Sequence, residues 1–365
     1  MAVLDFSKAF DVVPHQRLLR KLAHYGVTGK THEWLKSFLT DRTQSVVVEG
    51  IRSHGRAGDK KTNNAGDIVK SGVPQGTVLG PLCFLVFIND LPEVVNTDTC
   101  VRLFADDCLL YRSIKGQDDI NQLQQDLDAV YQWGIKWGMR FNVKKCNMLI
   151  VARERAPSNT HTRFYTMNGQ IVRPVLEAVY LGVSFTHNFS WDSHIRSVES
   201  KASRTLGFLK RNLKGAPYHL RALAYTSMVQ STMDYAGAIW DPHQKTKADK
   251  LERVHNRAAR WALRQRHTGA ASVGTMLSEL GWSTMSERRR RQRLLLVWKV
   301  MTGAVDIKPE EVGLHRAARG GRGADPNPLK LIRQGGSDEH SPLWRATSIR
   351  TIADFNALTG TQVHW

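Results

Sequence analysis

The sequence predicts an α+β fold, with strands and helices alternating in its first half and helices dominating its second. One observation is a series of short apolar runs separated by helical patterns and tight turns. Another is a change near Ser190, after which Arg, Lys and Trp recur at helical spacing. The length of 365 residues suggests two or three domains, because a typical domain has about 150 residues. We expect them at residues 1–189, 190–305 and 306–365, the last loosely ordered.

The individual elements follow from apolar spacing and from residues that start or stop helices. Residues 1–4 form a short apolar strand, and residues 99–104 and 108–113 form a hairpin with acidic residues at its tip. Further strands are expected at residues 44–48, 148–152 and 179–185, and a polar loop at 50–72. Helices are expected from Pro14 to Gly26, at residues 31–39, from near Gln75 to Asn89, and at residues 118–137.

Positive charge is concentrated in one segment. The chain has 52 Lys and Arg against 33 Asp and Glu, a net charge of +19. Between Arg196 and Lys299 there are 21 basic and 7 acidic residues, a net charge of +14. Such an imbalance favours a polyanionic partner over the alternative of a merely basic soluble protein.

Several classes of protein are disfavoured. The longest apolar run, residues 78–88, is about half of the roughly 20 residues that a membrane span needs, so no membrane partner is expected. The N-terminus has no basic start or cleavage site for secretion, which indicates an intracellular protein. Cys83, Cys100, Cys108 and Cys146 lack zinc-finger spacing and are expected to be reduced structural thiols.

Three aspartates are candidates for a metal site. Asp5 ends an apolar strand, and Asp106 and Asp107 lie side by side between apolar flanks. Adjacent aspartates in a turn are often only solvated turn formers, and that alternative stays open. Their mutual repulsion would be relieved by a cation, and Mg²⁺ binds one or two carboxylates together with water and phosphate oxygens.

Five segments, in order, resemble motifs of reverse transcriptases. Residues 4–11 (LDFSKAFD) and 104–107 (FADD) are similar to the two aspartate motifs. Residues 71–81 (SGVPQGTVLGP) resemble the motif that positions template and nucleotide. Residues 142–146 (NVKKC) and 180–183 (YLGV) resemble the two closing motifs. The intervening sequence is similar to that of non-LTR (LINE-type) retrotransposon enzymes.

The resemblance implies a reverse-transcriptase palm, an antiparallel sheet with packed helices, followed by an α-helical basic thumb. It implies an RNA-directed DNA polymerase that uses an RNA template, a DNA primer or target, and deoxynucleotides. Asp5 and Asp106 would bind two Mg²⁺ ions, or Mn²⁺, with Asp107 in support. Lys145 would donate a proton or contact phosphate near the pyrophosphate, although a merely solvated lysine is an open alternative.

The resemblance also assigns the binding residues. Phe10 would be a steric gate against a ribose 2′-OH, its alternative being an ordinary core aromatic. Phe6, Gln75 and Gly76 would bind the nucleotide, with Gln75 and Gly76 opening a helix whose amides face the template–nucleotide pair. The remaining assignments are contacts to primer and template, or alternatively a buried hairpin and solvated charges: Tyr180, Leu181, Gly182, Lys201, Arg204, Lys210 and Arg211.

Two further expectations concern the whole chain. Only four residues precede Asp5, where the family has a fingers region and an endonuclease, so we expect an N-terminally truncated fragment. A catalytically inactive nucleic-acid-binding remnant is therefore the alternative function, and a two-metal nuclease is the third. Residues 288–291 (RRRR) are read as a nucleic-acid contact or a nuclear localisation patch.

Overall fold

The computed structural model describes residues 1–49, 51–52, 67–151, 164–242, 244–264, 272–309, 314–316 and 329–331. The chain divides into two compact units, Met1–Ser190 and Trp191–Trp365, which we call the sheet unit and the helical unit. Most of the polar loop expected at 50–72, and most of the tail expected at 306–365, lie outside the described residues.

A five-stranded sheet with β1 at its centre organises the sheet unit. Its strand order is β11-β8-β1-β7-β6, antiparallel except for the parallel pair β11 and β8. The remaining strands form two-stranded pairs. The strands of the unit are β1 Ala2–Leu4, β2 Thr43–Gln44, β3 Val47–Val48, β4 Ile51–Arg52, β5 Asp67–Ile68, β6 Cys100–Phe104, β7 Asp107–Tyr111, β8 Asn147–Leu149, β9 Thr166–Met167, β10 Gln170–Ile171, β11 Arg173–Val175, β12 Glu177–Tyr180 and β13 Val183–Thr186.

Helices of the sheet unit begin and end at residues that the sequence marks. Pro14 immediately precedes α2, and Gly138 ends α5 in the left-handed conformation that glycine adopts without strain. A short 3₁₀ helix, Leu91–Val94, follows α4. The α-helices are α1 Ala9–Val12, α2 His15–His24, α3 Gly29–Leu39, α4 Leu79–Ile88 and α5 Gln117–Trp137.

One apolar core joins the sheet to these helices. Leu4 of β1 and Leu110 of β7 are buried in it with Leu18 of α2, Phe87 of α4 and Leu127 of α5. Because successive strand residues face opposite sides, this packing fixes the register of β1 and the position of the residue that follows it. The mixed sheet with packed helices confirms the α+β expectation.

Helices form nearly all of the described helical unit. Helix α10 contacts α6, α7, α11 and α12 through a face that includes Leu251, Val254 and Ala258. A π-helix at Thr226–Gln230 joins α7 to α8. The elements are α6 Asp192–Asn212, α7 Tyr218–Tyr225, α8 Ser231–Asp234, α9 Gly237–Trp240, α10 Lys245–Ala262, α11 Val273–Leu280, α12 Met285–Met301, β14 Leu314–Arg316 and β15 Leu329–Leu331.

Several element predictions need correction. The strand expected at residues 44–48 is interrupted, because Thr43–Gln44 pairs with β5 whereas Val47–Val48 pairs with β4. The segment expected as a strand at 179–185 is a hairpin of two strands. The four cysteines are free, as expected. Among the described residues, no helix is both long and apolar enough to cross a bilayer.

Candidate active site

Asp5 lies at the end of the central strand β1, and neighbouring backbone fixes its position. Its N–H donates to the Cys146 Sγ at 3.4 Å, and its carbonyl oxygen accepts from the Asn142 N–H at 2.8 Å. The side chain is 41% exposed, and the Lys145 Nζ lies 3.9 Å from its Oδ2 atom. The two residues that the sequence analysis assigned from separate motifs, Asp5 and Lys145, are therefore brought together.

Asp106 occupies the tip of the β6–β7 hairpin. Phe104 pairs with Asp107, which leaves Ala105 and Asp106 as a two-residue connection. Ala105 has a φ of 52°, in the left-handed region that a two-residue hairpin demands of its first residue. The predicted hairpin is confirmed, with Asp107 as the first residue of β7 rather than part of the turn.

The register of β1 and β7 brings the third carboxylate to Asp5. Leu4 pairs with Cys108 in antiparallel register, so the adjacent residues Asp5 and Asp107 face each other at the ends of the two strands. Partial desolvation, followed by repulsion from Asp106 and Asp5, raises the pKa of Asp107. The charges of Asp5 and Asp106 therefore lie close enough to act on the Asp107 carboxylate.

The chemistry of these carboxylates fits a hard divalent cation. Carboxylate oxygens are ligands that Mg²⁺ prefers, and a cation would relieve the repulsion that raises the pKa of Asp107. Among the described residues, however, no group of three or more His, Cys, Asp or Glu side chains is arranged closely enough to hold a metal ion as it stands. The fit therefore lies in donor type and proximity, and the ligand geometry requires side-chain adjustment.

Phe10 lies beside the loop of residues 71–77. Its half-buried ring stacks on Phe84, with 4.4 Å between ring centroids, and its carbonyl accepts from the Val73 N–H at 2.8 Å. The Gln75 Nε2 donates to the Asp11 Oδ1 at 2.9 Å. Two of the motifs singled out in the sequence thus pack against each other.

The prediction that Gln75 and Gly76 open a helix is wrong. Helix α4 begins at Leu79, and both residues lie in the preceding turn, with Gly76 at a φ of 77°. The Thr77 Oγ1 donates to the Pro74 carbonyl at 2.8 Å and accepts from the Gly80 N–H at 3.0 Å. This hydroxyl bridge closes the turn and sets the later helix start, so Gln75 can act through its side chain but not through helix N-terminal amides.

Phe6, which the resemblance assigned to the nucleotide site, has a buried side chain. Phe6 is only 4% exposed, and its ring stacks on Phe141 at 4.2 Å and meets Trp133 edge-on. A ring packed on two other rings is a core residue, and only the Phe6 backbone remains available to a ligand. The sequence pattern missed this because the stacking partners lie far away in the chain.

His15 is a positioning residue that the sequence interpretation did not assign. Its Nε2 donates to the Gly72 carbonyl at 2.8 Å in a buried setting, which ties helix α2 to the start of the 71–77 loop. A β-carbon on Gly72 would lie 2.8 Å from the Asp11 carbonyl oxygen. The available signal was the histidine directly after Pro14, on the first turn of a helix.

Tyr180, Leu181 and Gly182 form the β12–β13 hairpin. Leu181 and Gly182 both have positive φ, at 47° and 74°, as a two-residue type I′ turn requires. The Tyr180 hydroxyl donates to the Arg102 carbonyl at 3.5 Å. Burial, and then proximity to Cys108 and Asp107, raises the pKa of Tyr180, so this hairpin lies near the acidic strand ends.

The predicted phosphate contacts of the helical unit all lie on α6. Lys201, Arg204 and Arg211 are exposed, and Lys210 is half-buried. The four arginines of residues 288–291, read above as a nucleic-acid contact or a nuclear localisation patch, differ in their surroundings. Arg288 forms a two-nitrogen ion pair with Asp234, and Arg289 is buried against Asp241, whereas Arg290 and Arg291 are exposed.

Comparisons with known proteins agree on one family. Residues 1–185 match the family described as reverse transcriptase (RNA-dependent DNA polymerase). The chain is 31% identical over 211 residues to the RNA-directed DNA polymerase from mobile element jockey of Drosophila melanogaster, covering 56% of this chain and 21% of that protein. It is 27% identical over 274 residues to the probable RNA-directed DNA polymerase from transposon BS of the same species, covering 70% and 28%.

Two further matches have lower sequence identity. The retrovirus-related Pol polyprotein from type-1 retrotransposable element R2 of Popillia japonica is 26% identical over 198 residues, which is 50% of this chain and 30% of that protein. A telomerase from Candida albicans covers 83% of this chain and 48% of its own at 10% identity, and its TM-score of 0.29 is too low to bear on the fold. The match to jockey spans about a fifth of that protein's length.

Proposed function

The chain belongs to the reverse transcriptase (RNA-dependent DNA polymerase) family, and from that premise we propose that it is an RNA-directed DNA polymerase of a non-LTR retrotransposon. The observation that carries the proposal is the convergence of Asp5, Asp106 and Asp107 at one edge of the sheet. The sheet unit would serve as the palm and the helical unit as a basic thumb. Divalent metals are general to the family, and two Mg²⁺ ions are the proposed form here.

In the proposed reaction, a primer 3′-hydroxyl oxygen forms a bond to the α-phosphorus of a deoxynucleotide, and the bond to pyrophosphate breaks. Asp5 and Asp106 would hold the metal ions, with Asp107 stabilising their charge. Bound ions would lower the pKa of the attacking hydroxyl and neutralise the leaving pyrophosphate. Lys145, whose Nζ is 3.9 Å from Asp5, would supply a proton or a positive charge to that pyrophosphate.

Selection of the nucleotide is assigned to the sheet unit. The Phe10 ring is held flat against Phe84 and would exclude a ribose 2′-OH by contact. Gln75, held by Asp11, and Gly76 would position the template–nucleotide pair. Because the Phe10 carbonyl and the Asp11 carboxylate both bind the 71–77 loop, movement of that loop would alter the gate.

Contacts to nucleic acid are assigned to both units. The hairpin of Tyr180, Leu181 and Gly182 would hold the primer backbone near the acidic strand ends. Exposed cations on α6, namely Lys201, Arg204 and Arg211, with Lys210 beside them, would contact phosphates and make binding sensitive to salt.

Primer extension on an RNA template, with Mg²⁺ and deoxynucleotides, tests the proposal. Asp106→Asn removes one proposed metal ligand and is expected to lower the rate by about 10³-fold, equivalent to roughly 4 kcal/mol of transition-state stabilisation. Asp128→Asn is the matched control, because Asp128 is exposed on α5 and bonds only the Gln124 side chain through its carboxylate. Its rate is expected to stay within about twofold of the parent.

The same assay separates the alternative. A folded chain that binds primer–template without extending it would be the inactive nucleic-acid-binding remnant. Extension that survives Asp106→Asn would remove the aspartates from the mechanism. As a second arm, Phe10→Ala should raise ribonucleotide incorporation relative to deoxynucleotide incorporation, while Phe38→Ala, a half-buried aromatic of α3, should not.

A further inference from the structure

A basic cavity of about 470 Å³ lies within the helical unit. Helices α6, α7 and α10, together with residues just after α6 and α10, supply its walls. Of the residues that the structure describes, six cations and the Trp261 ring line it, and no carboxylate does. The cations are Lys210, Lys214, Arg221, Arg257, Arg260 and Arg264.

Arg221 gives this cavity a buried donor without a partner. The side chain is 4% exposed, and one terminal nitrogen donates to the Trp261 carbonyl at 2.7 Å. Its Nε, however, has no hydrogen-bond partner among the described residues. Buried N–H groups are nearly always paired, so a buried guanidinium with a free donor at a cavity wall indicates a ligand oxygen.

Helix termini explain only part of this charge. Cations near helix C-termini are favourable, and one Arg264 terminal nitrogen donates to the Lys214 carbonyl at 3.2 Å. An Arg257 terminal nitrogen donates to the Ser203 hydroxyl at 2.8 Å. Across the described residues, none of the six cations pairs with a carboxylate, in contrast to Arg288 and Arg289 of the same unit. Their mutual repulsion is left without an internal counter-charge.

Burial and like charge act together on the cavity walls. Burial, and then the charge of Arg257, lowers the pKa of Lys210. Burial, and then the charge of Arg264, lowers the pKa of Arg221. An anion in the cavity would relieve both effects.

We propose that this cavity binds one nucleotide of a single-stranded nucleic acid, with its phosphate among the arginines and its base against Trp261. The volume suits a single nucleotide, and the half-buried indole offers the stacking surface that single-strand sites use. The stacking surface beside the arginines favours a nucleotide over an inorganic anion. The inference rests on the proposed function only in taking nucleic acid as the polyanion.

Binding of a labelled single-stranded RNA oligonucleotide to the full chain tests this site. All chains in this assay carry Asp106→Asn, and Mg²⁺ is left out, so that no primer extension takes place during the binding measurement. The double variant Arg257→Gln, Arg260→Gln is expected to weaken binding about 10-fold and to reduce the salt slope by about 1.4, the value for two phosphate contacts on a single strand. The charge-matched control Lys245→Gln, Lys299→Gln removes one exposed cation from the start of α10 and one from α12, and it should change binding by less than about twofold.

Three outcomes would overturn the assignment. Equal loss in both double variants would mean a diffuse charge effect. Displacement of the RNA by adenosine monophosphate as effectively as by unlabelled strand would mean a free-nucleotide site, and displacement by inorganic pyrophosphate alone would mean a general anion site. Trp261→Leu should weaken RNA binding but leave pyrophosphate binding unchanged.

This test distinguishes failure of the cavity assignment from failure of the proposed polymerase function. If the parent chain fails to extend primers while the Arg257, Arg260 variant still loses RNA binding relative to its control, the polymerase function fails and the cavity assignment holds. If primers are extended while that variant binds RNA normally, the cavity assignment fails alone.

Discussion

In the sheet unit, Asp5, Asp106 and Asp107 lie at strand ends with at least partly exposed side chains, and among the described residues Asp5 alone of the three has a cation within ion-pair distance. In the helical unit, Asp234 and Asp241 are largely buried, and each is bound by arginine side chains of α12. The same residue type therefore meets opposite surroundings in the two units.

This difference separates structural carboxylates from functional ones. Asp241 accepts from Arg289 at 2.7 Å and also from Arg293, so its charge is fully used in holding α12. Asp107, by contrast, lies where partial desolvation, and then the charges of Asp106 and Asp5, raise its pKa, an arrangement that folding alone would not favour. Repulsion between the carboxylates at the strand ends indicates a site that binds a cation. The paired carboxylates Asp234 and Asp241 instead hold the helices together.

The largest expected effect comes from removing a paired carboxylate. Asp241→Asn leaves the buried Arg289 and Arg293 without their counter-charge and is expected to lower the free energy of unfolding by about 3–5 kcal/mol. Urea unfolding of the full chain, followed by circular dichroism, measures the change. Asp249→Asn, on the exposed side of α10, is the control and should change stability by less than about 0.5 kcal/mol.

A second variant tests this prediction even if Asp241→Asn does not fold. Replacing Asp241 by Leu together with Arg289 and Arg293 by Met removes the whole ionic cluster and should recover most of the loss, because no charge is left unpaired. If Asp241→Asn proved as stable as Asp249→Asn, the structural role of the helical-unit carboxylates would be refuted.

Acid should weaken the helical unit through His255. This fully buried side chain shares a hydrogen bond with the Tyr225 hydroxyl, with 2.6 Å between the oxygen and Nδ1, and burial, followed by the charge of Arg288, lowers its pKa from 6.5 to about 4. The folded state therefore binds fewer protons than the unfolded state. Its stability contribution is complete above pH 6.5 and is lost as pH falls toward 4, by up to about 3 kcal/mol.

Urea midpoints measured between pH 7 and pH 4 test this dependence. In His255→Gln, an amide oxygen can still accept a hydrogen bond from the Tyr225 hydroxyl. The urea midpoint of this variant should therefore fall less steeply with decreasing pH than that of the parent. His219→Gln, an exposed residue of α7, should follow the parent curve. Identical slopes in all three chains would show that His255 is protonated in the folded state at the usual pH.

Local patterns predicted much of this molecule. The strand at β1, the hairpin at β6 and β7, and helices α2 and α5 follow from apolar spacing and from Pro and Gly at their ends. The acidic strand ends were predicted because each aspartate adjoins an apolar strand. These features depend on neighbours only a few residues away.

Contacts that form only on folding, most of them between residues far apart in the chain, account for what could not be predicted. Arg289 is buried in an ion pair with Asp241, which lies 48 positions earlier in the chain. The Phe6 ring is buried against the Phe141 ring. The late start of α4 depends on the absence of a side chain at Gly80, where a β-carbon would lie 2.1 Å from the Pro74 carbonyl oxygen. Each correction involves a contact made only once the chain has folded.

The smallest expected effect is an increase in stability, whereas the changes described above lower it. Partial desolvation and the charges of Asp106 and Asp5 raise the pKa of Asp107, so the folded state binds protons more tightly than the unfolded state. The loss of stability caused by ionised Asp107 is absent at low pH and appears as pH rises through the pKa of Asp107 in the unfolded chain. Asp107→Asn at neutral pH should therefore raise the melting temperature of the full chain, by roughly 1 °C because this side chain is exposed.

Added Mg²⁺ sharpens this last prediction. A cation that binds only the folded chain raises its melting temperature by mass action, and the gain should be smaller in Asp107→Asn than in the parent. Asp98→Asn, whose side chain is 80% exposed, is the control and should keep the full Mg²⁺ response. Destabilisation by Asp107→Asn, like that expected for Asp241→Asn, would mean that the carboxylates of both units are structural, and the contrast on which the candidate active site rests would disappear.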